Sequence, residues 1–385
     1  MSSIKIQPEG FQNIIANLGI KDENDDFIAV ISEKPACVSA MFTQSRFAGP
    51  SVVLSRETAK KQKARGVIVI ARNANVATGA EGLADAREIR ERLGQAANAD
   101  PEELLIASTG IIGRRYPMEK IRAFFAGNPS LQPADFGRCA AAIMTTDTHP
   151  KYSARKVGNA CLAGIAKGVG MIEPNMATLL AFFFTDAKID PVLLDDMFRR
   201  VVEKTFNALS IDTDTSTSDT AAILANGLAG EADPVEFEAA LYDTALELVR
   251  MIASDGEGAC KSLEVAVTGA RDSAQAKRVA KAVVNSPLVK TAIHGEDPNW
   301  GRVAMAVGKC EEDDDILPEK VSISFGGIET YPRQLDEAGL KAVKTYLQEK
   351  NILISVDLNI GQGAFTAYGC DLSEGYIRIN ADYST

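Results

Sequence analysis

The chain has 385 residues, with 41 basic and 52 acidic side chains and a formal net charge of −11. Hydrophobic residues at 46% and charged residues at 24% are ordinary for a globular chain and exclude a disordered polymer, while the acidic balance argues against a general nucleic-acid binder. The histidine count is two, His149 and His294, so a site needing three imidazoles is excluded and histidine-based catalysis has little to work with.

Strand and helix patterns are mixed throughout the chain. Residues 67–72 (VIVIAR) read as a short buried strand running into the polar segment 73–79 (NANVATG). In the following ADAREIRERLGQAA, Ala84, Ile89 and Leu93 fall at helical spacing. Lys167-Gly168-Val169-Gly170 lacks the third glycine of a dinucleotide fingerprint, and no GxxxxGK[ST] occurs, so no nucleotide cofactor is expected. The apolar run Met176–Phe184 is too short to span a membrane. Because Pro174 stops a helix there, Thr178 is expected at the first residue of a buried strand.

Asp212, Asp214 and Asp219 crowd the segment SIDTDTSTSDT, but the glycine and glutamate of a calcium loop are out of register. Hydroxyl-rich hydrogen bonding is the better reading there. Asp233-Pro234 opens a helix striped with Phe237, Leu241, Ala245, Leu248, Val249 and Ile252, which stops at Ser254-Asp255-Gly256. A third helix starts near Asp272-Ser273, with Ala276, Val279, Ala280 and Val283 on one face. The charge run Glu311–Asp315 reads as a solvated loop. A fourth helix lies around 337–350 with Leu340, Val343 and Leu347, and residues 352–360 alternate as a half-buried strand. Two more strands, Ala364–Cys370 and Gly375–Asn380, are expected on either side of a turn-like DLSEG.

Six scattered cysteines without a CxxC pair read as free thiols, and the N-terminus carries no apolar core of signal-peptide length. The expected location is cytoplasmic, with no membrane span and no resident metal. His149 and His294 receive no role and are expected at turn or surface positions.

The segment Ala166–Asp186 carries the chemistry. A threonine hydroxyl is a poor nucleophile without an adjacent base. Cutting the chain between Ala177 and Thr178 would create one on the same residue, because the freed α-amine has a reference pKa of about 7.7–8.0. That mechanism needs no histidine.

KGVGMIEPNMATLL resembles the self-cleavage segment of the ornithine acetyltransferase (glutamate N-acetyltransferase) family. The likeness extends over essentially the whole chain through RNANVATG (72–79), ASTGIIGR (107–114), MTTDT (144–148), DTSTSDT (214–220), SDGEGACK (254–261), HGEDPNWGR (294–302) and the C-terminal RINADYST. The resemblance implies a layered α/β/β/α sandwich over residues 1–270 and a smaller C-terminal α+β domain over 271–385 that contributes to the substrate site. It implies autoproteolysis into fragments 1–177 and 178–385, assembled as a tetramer of two of each.

Function follows from the same resemblance. Thr178 would take the acetyl group from N-acetylornithine, release ornithine, and pass the acetyl to glutamate, with no cofactor. Thr109 and Gly110 match the oxyanion-hole pair, which must aim two donors at the tetrahedral oxygen. Thr145, Lys167, Thr178, Glu257, Asn380 and Thr385 match the substrate-binding positions. Lys167 is suited to a substrate carboxylate and Glu257 to the ornithine δ-ammonium. Thr146 or Thr148 could replace Thr145, because the stretch from Thr145 to Lys167 is shorter than usual. Thr213 and Ser218 stand where glycine and asparagine are common, as in the members found beside clavulanic-acid genes. Acetyl-CoA stays open as a second donor, and an amidase or aminopeptidase-type hydrolase on the same fold is the alternative.

Overall fold

The structure, a computed structural model, describes residues 6–173 and 179–382. Strand β1 (Phe11–Ala16) pairs antiparallel with β2 (Phe27–Phe42), and neither lies within the elements read from the sequence, which begin at residue 67. Helix α1 (Pro50–Lys60), β3 (Lys63–Ile70), α2 (Gly79–Ala97), β4 (Leu104–Ser108) and α3 (Met118–Ala126) follow. Next come the short β5 (Gln132–Pro133), α4 (Phe136–Ala142), β6 (Lys151–Val157), β7 (Ala160–Lys167) and β8 (Leu180–Lys188). Helix α5 (Pro191–Lys204), β9 (Thr220–Glu231) and α6 (Pro234–Ser254) complete the first unit.

Among the described residues these strands form one sheet in the order β4-β3-β2-β9-β8-β7-β6, with β1 and β5 on a side branch. Strand β2 belongs to both leaves. Residues 27–31 pair with β3, the register shifts between Ile31 and Ala36, and residues 37–42 pair with β9. The sheet thereby folds over itself around a shared apolar layer. Val30, Val67, Val69 and Leu105 from one leaf meet Phe182, Phe184 and Leu224 from the other. The outer face of the first leaf, with Phe27, Ile68 and Ile106, packs on Leu54, Ile89 and Leu93 of α1 and α2. The outer face of the second, with Phe183 and Ile223, packs on Phe198 of α5 and on Leu241 and Leu248 of α6. The layers therefore run α/β/β/α, as expected.

The run LAFFFTDAK explains why β8 has no polar stripe. Phe182 and Phe184 face the inter-leaf layer while Phe183 faces the helices, so both faces need apolar side chains. Asp233 caps α6 by accepting from the backbone N–H groups of Val235 and Glu236.

The second unit has a five-stranded sheet in the order β12-β11-β13-β10-β14. It is built from β10 (Ser262–Ala270), α7 (Ser273–Val284), α8 (Pro287–His294), α9 (Trp300–Gly308), β11 (Ser322–Phe325) and β12 (Ile328–Tyr331). Helix α10 (Glu337–Tyr346), β13 (Asn351–Asp357), β14 (Gly363–Cys370) and α11 (Glu374–Asp382) end it. Its inner strand β10 begins at Ser262.

Sequence expectations fail at specific points. Gly375–Asn380 is helical, because Ser373 accepts from the Gly375 N–H at 3.0 Å and so starts a helix where a hairpin turn was expected. Asp313, within the supposed solvated run, is buried and receives Arg271, Arg278 and Gln275. Leu340 of α10 is exposed while Val343 and Leu347 are buried, and on α2 Ala86 faces the sheet in place of Ala84. His149 and His294 are both exposed, as expected, although His294 also ends α8 and bonds Asp371.

Candidate active site

A cavity of about 230 Å³ opens where both units meet the ends of β7, β8 and β9. Thr109, Gly110, Thr145, Lys167, Glu257 and Asn380 all line it. Residues separated by more than 270 positions are thus brought to one wall. Ala177, Thr178 and Thr385 lie outside the described residues. Leu179, directly after Thr178, lines the same cavity, and its carbonyl accepts from the Thr220 N–H at 3.0 Å.

The ASTG turn leaves β4 and is pinned against the segment 71–79. Thr109 N–H bonds the Ile70 carbonyl at 3.1 Å, Ile111 N–H bonds the Arg72 carbonyl at 3.3 Å, and Ser108 Oγ donates to the Ala74 carbonyl at 3.0 Å. Gly110 has φ +130°, and a Cβ there would lie 2.2 Å from the Arg72 carbonyl carbon. No residue with a side chain fits that crossing. On the facing strand, Lys167 Nζ donates to Thr109 Oγ1 at 3.2 Å. That bond uses a lone pair of the hydroxyl and leaves its proton free to serve another acceptor.

Glu257 sits in a clasp formed by three chain segments. Its carboxylate accepts from Thr146 Oγ1 at 3.0 Å and from Asn380 Nδ2 at 2.9 Å, and its N–H bonds the Val169 carbonyl at 2.8 Å. Helix α11 delivers Asn380 because Gly258 (φ +71°) lets the backbone of Gly375 and Tyr376 cross it closely; a Cβ at Gly258 would lie 2.3 Å from the Tyr376 nitrogen. Thr145 and Thr146 both line the cavity, while Thr148 turns away to Asp255.

Behind this wall lies an ionic frame that sequence reasoning missed. Lys151 is fully buried, with Nζ 2.7 Å from Asp147 and 2.6 Å from Asp255. Asp147 also accepts from the N–H groups of Thr145 and Gly168, at 3.0 and 2.8 Å. One carboxylate therefore fixes both the threonine loop and the residue after Lys167. Burial by itself would push the Asp147 carboxyl up, but Lys167 and Lys151 outweigh it and hold it down at about 2. Burial pulls the Lys167 ammonium below the ordinary lysine value, and Asp147 and Asp219 oppose that shift. Asp219 lines the cavity with its Oδ2 lacking a hydrogen-bond partner among the described residues, and burial pushes its carboxyl well up.

The hydroxyl-rich reading of 212–220 holds. Asp212 accepts from the Met171 and Ile172 N–H groups at 2.6 and 2.8 Å, and Ser218 N–H bonds Ser216 Oγ at 3.2 Å.

A profile of the ArgJ family matches residues 12–385. The chain belongs to the ArgJ family. Glutamate N-acetyltransferase Oat2 of Streptomyces clavuligerus is 60% identical, covering 98% of each chain. Arginine biosynthesis bifunctional protein ArgJ 2 of Nostoc sp. is 56% identical, again over 98% of each. A crystal structure of ArgJ from Bacillus halodurans is 40% identical with a TM-score of 0.48, covering 51% of this chain and 96% of that one. Among the described residues, no helix of this ArgJ-family chain is long and apolar enough to cross a membrane.

Proposed function

We propose that this ArgJ-family chain moves the acetyl group of N-acetylornithine to glutamate through an acetyl-threonine at Thr178, after cutting itself between Ala177 and Thr178. The observation that carries this reading is the cavity that Leu179 shares with Thr109, Gly110, Lys167, Glu257 and Asn380. Hydroxyl and N–H donors, an ammonium and a carboxylate around Leu179 support the roles of oxyanion hole, carboxylate partner and ammonium partner. The full-length relatives named for acetyl transfer and arginine biosynthesis favour this over the hydrolase alternative.

In the first half-reaction the Thr178 hydroxyl attacks the acetyl carbonyl carbon, and its proton passes to the Thr178 α-amine. The Thr109 hydroxyl and Gly110 N–H receive the negative oxygen of the tetrahedral intermediate. Collapse breaks the C–N bond, the leaving amine takes the proton, and ornithine departs. In the second, the glutamate amine attacks the acetyl ester, and the Thr178 oxygen leaves and recovers a proton. Lys167 meets the substrate carboxylate, and Glu257, steadied by Thr146 and Asn380, meets the δ-ammonium. Thr145 and Thr385 complete the substrate contacts.

The cut yields fragments of 177 and 208 residues, together the 385 of the chain, proposed to assemble as two of each. Thr178→Ala should give one full-length band on a denaturing gel and no acetyl transfer. A Thr178→Ala protein that still splits at this bond would refute the assignment. Comparing glutamate acetylation from acetyl-CoA with that from N-acetylornithine decides whether acetyl-CoA is a second donor.

A further inference from the structure

We propose that Cys260 and His294, with Asp371 holding the imidazole from behind, form a binding site for a zinc-like divalent cation, separate from the acetyl-transfer cavity. The three residues come from distant parts of the chain. Cys260 lies between α6 and β10, His294 is the last residue of α8, and Asp371 follows β14. A ligand atom from each lies within 4.8 Å of the other two.

Asp371 organises the group. Its side chain is fully buried, and Oδ1 accepts from the backbone N–H groups of Cys260 and Lys261 at 2.9 and 3.0 Å. Oδ2 lies 2.8 Å from His294 Nδ1. In the tautomer in which Nδ1 donates to Asp371, the lone pair sits on Nε2 and is available to a cation. A carboxylate that fixes the tautomer and orientation of a histidine in this way is the usual support of a metal-binding imidazole. The same carboxylate fixes the backbone of Cys260, so thiol and imidazole are both positioned by one buried group.

Both outer groups are accessible: Cys260 is exposed and the His294 side chain is 40% exposed. The neighbouring ammonium groups are turned elsewhere. Lys261 Nζ bonds the Leu347 and Ile293 carbonyls and pairs with Glu296, and Lys290 Nζ bonds the Ile211 carbonyl at 2.9 Å. Thiolate with imidazole favours zinc over magnesium or calcium, which prefer oxygen. Zinc–sulfur and zinc–nitrogen distances of about 2.3 and 2.0–2.1 Å put tetrahedral ligand atoms roughly 3.5 Å apart.

The test uses the chelator-treated wild-type enzyme titrated with Co²⁺ alone and, separately, with Zn²⁺ alone. The expected result is one ion per chain, a thiolate-to-cobalt absorption band in the near ultraviolet, and competition by zinc. Cys260→Ser should abolish the band and weaken binding at least tenfold, and His294→Ala should weaken it at least tenfold. Asp371→Asn should cost about 10–100-fold. Both outer variants should transfer acetyl at the rate of the metal-free wild type, since neither residue lines the cavity. Absence of the band, or unchanged affinity in Cys260→Ser or His294→Ala, overturns the site. Loss of acetyl transfer in both folded variants overturns its separation from the cavity.

Discussion

Replacing Gly110 by alanine is the sharpest probe of the proposed oxyanion hole. The new Cβ would lie 2.2 Å from the Arg72 carbonyl carbon and 2.5 Å from its Cα and oxygen, whereas ordinary contact begins at 3.4 Å. Restoring contact moves the turn away from Arg72 by 3.4 − 2.2 = 1.2 Å. An oxyanion donor works at about 2.7–3.1 Å, so a displacement of that size removes the Gly110 N–H from its task. Losing one such donor typically costs about 10²–10³ in rate, or about 2.7–4 kcal/mol. Because the donor acts on charge that exists only in the transition state, kcat and kcat/KM should fall together while KM stays in place. The positive φ adds about 1–3 kcal/mol of backbone strain, so the variant should also melt earlier. Steady-state kinetics with N-acetylornithine and glutamate, run on processed protein well below its melting temperature, reads the effect. A folded, processed Gly110→Ala enzyme within a few-fold of wild type would show that this N–H takes no part in catalysis.

Glu257→Gln keeps the shape of the clasp but removes its charge. If Glu257 meets the δ-ammonium, KM for N-acetylornithine should rise about 10–100-fold, the worth of a charge-assisted hydrogen bond of about 1.5–3 kcal/mol, and initial-rate kinetics in that substrate decide. Gly258→Ala should push α11 off and carry Asn380 away from Glu257, raising the same KM in a protein that still cuts itself, as gels and kinetics together would report. Asp147, held at about 2, lies below its unfolded value of 3.8, so its stabilisation is fully present above about pH 5 and disappears as pH falls through its folded value. The contribution is on the order of 2 kcal/mol. Denaturant midpoints between pH 7 and 3 should fall more gently with acid in Asp147→Asn, from a lower starting stability, and identical slopes would refute the role.

Helix caps and apolar periodicity carried much of the fold into the sequence. Asp233-Pro234 and Asp272-Ser273 mark α6 and α7 because side-chain caps are local chemistry, and the period-2 pattern of 352–360 marks β13 for the same reason. Helix α11 was misread since Tyr376-Ile377-Arg378-Ile379 alternates like a strand while the deciding capping bond from Ser373 is a single hydroxyl. The buried frame of Asp147, Lys151 and Asp255 was invisible because charged residues look like surface until the fold joins positions 104 apart. Thr109, Gly110, Lys167, Glu257 and Asn380, which share one cavity, were singled out only through family motifs, and nothing in their spacing alone brings them together.

Strands β8 and β9 lie side by side between β2 and β7. With the proposed cut at Ala177, both belong to the later fragment and both their outer neighbours to the earlier one, so each fragment supplies the filling for a gap in the other. Separation would strip the main-chain partners from four strand edges at once and bare the phenylalanines of β8 to water. Under the proposed cut the two fragments would be a nicked single fold, assembled before cleavage. Produced apart, each would present open, apolar edges and aggregate sooner than find its mate.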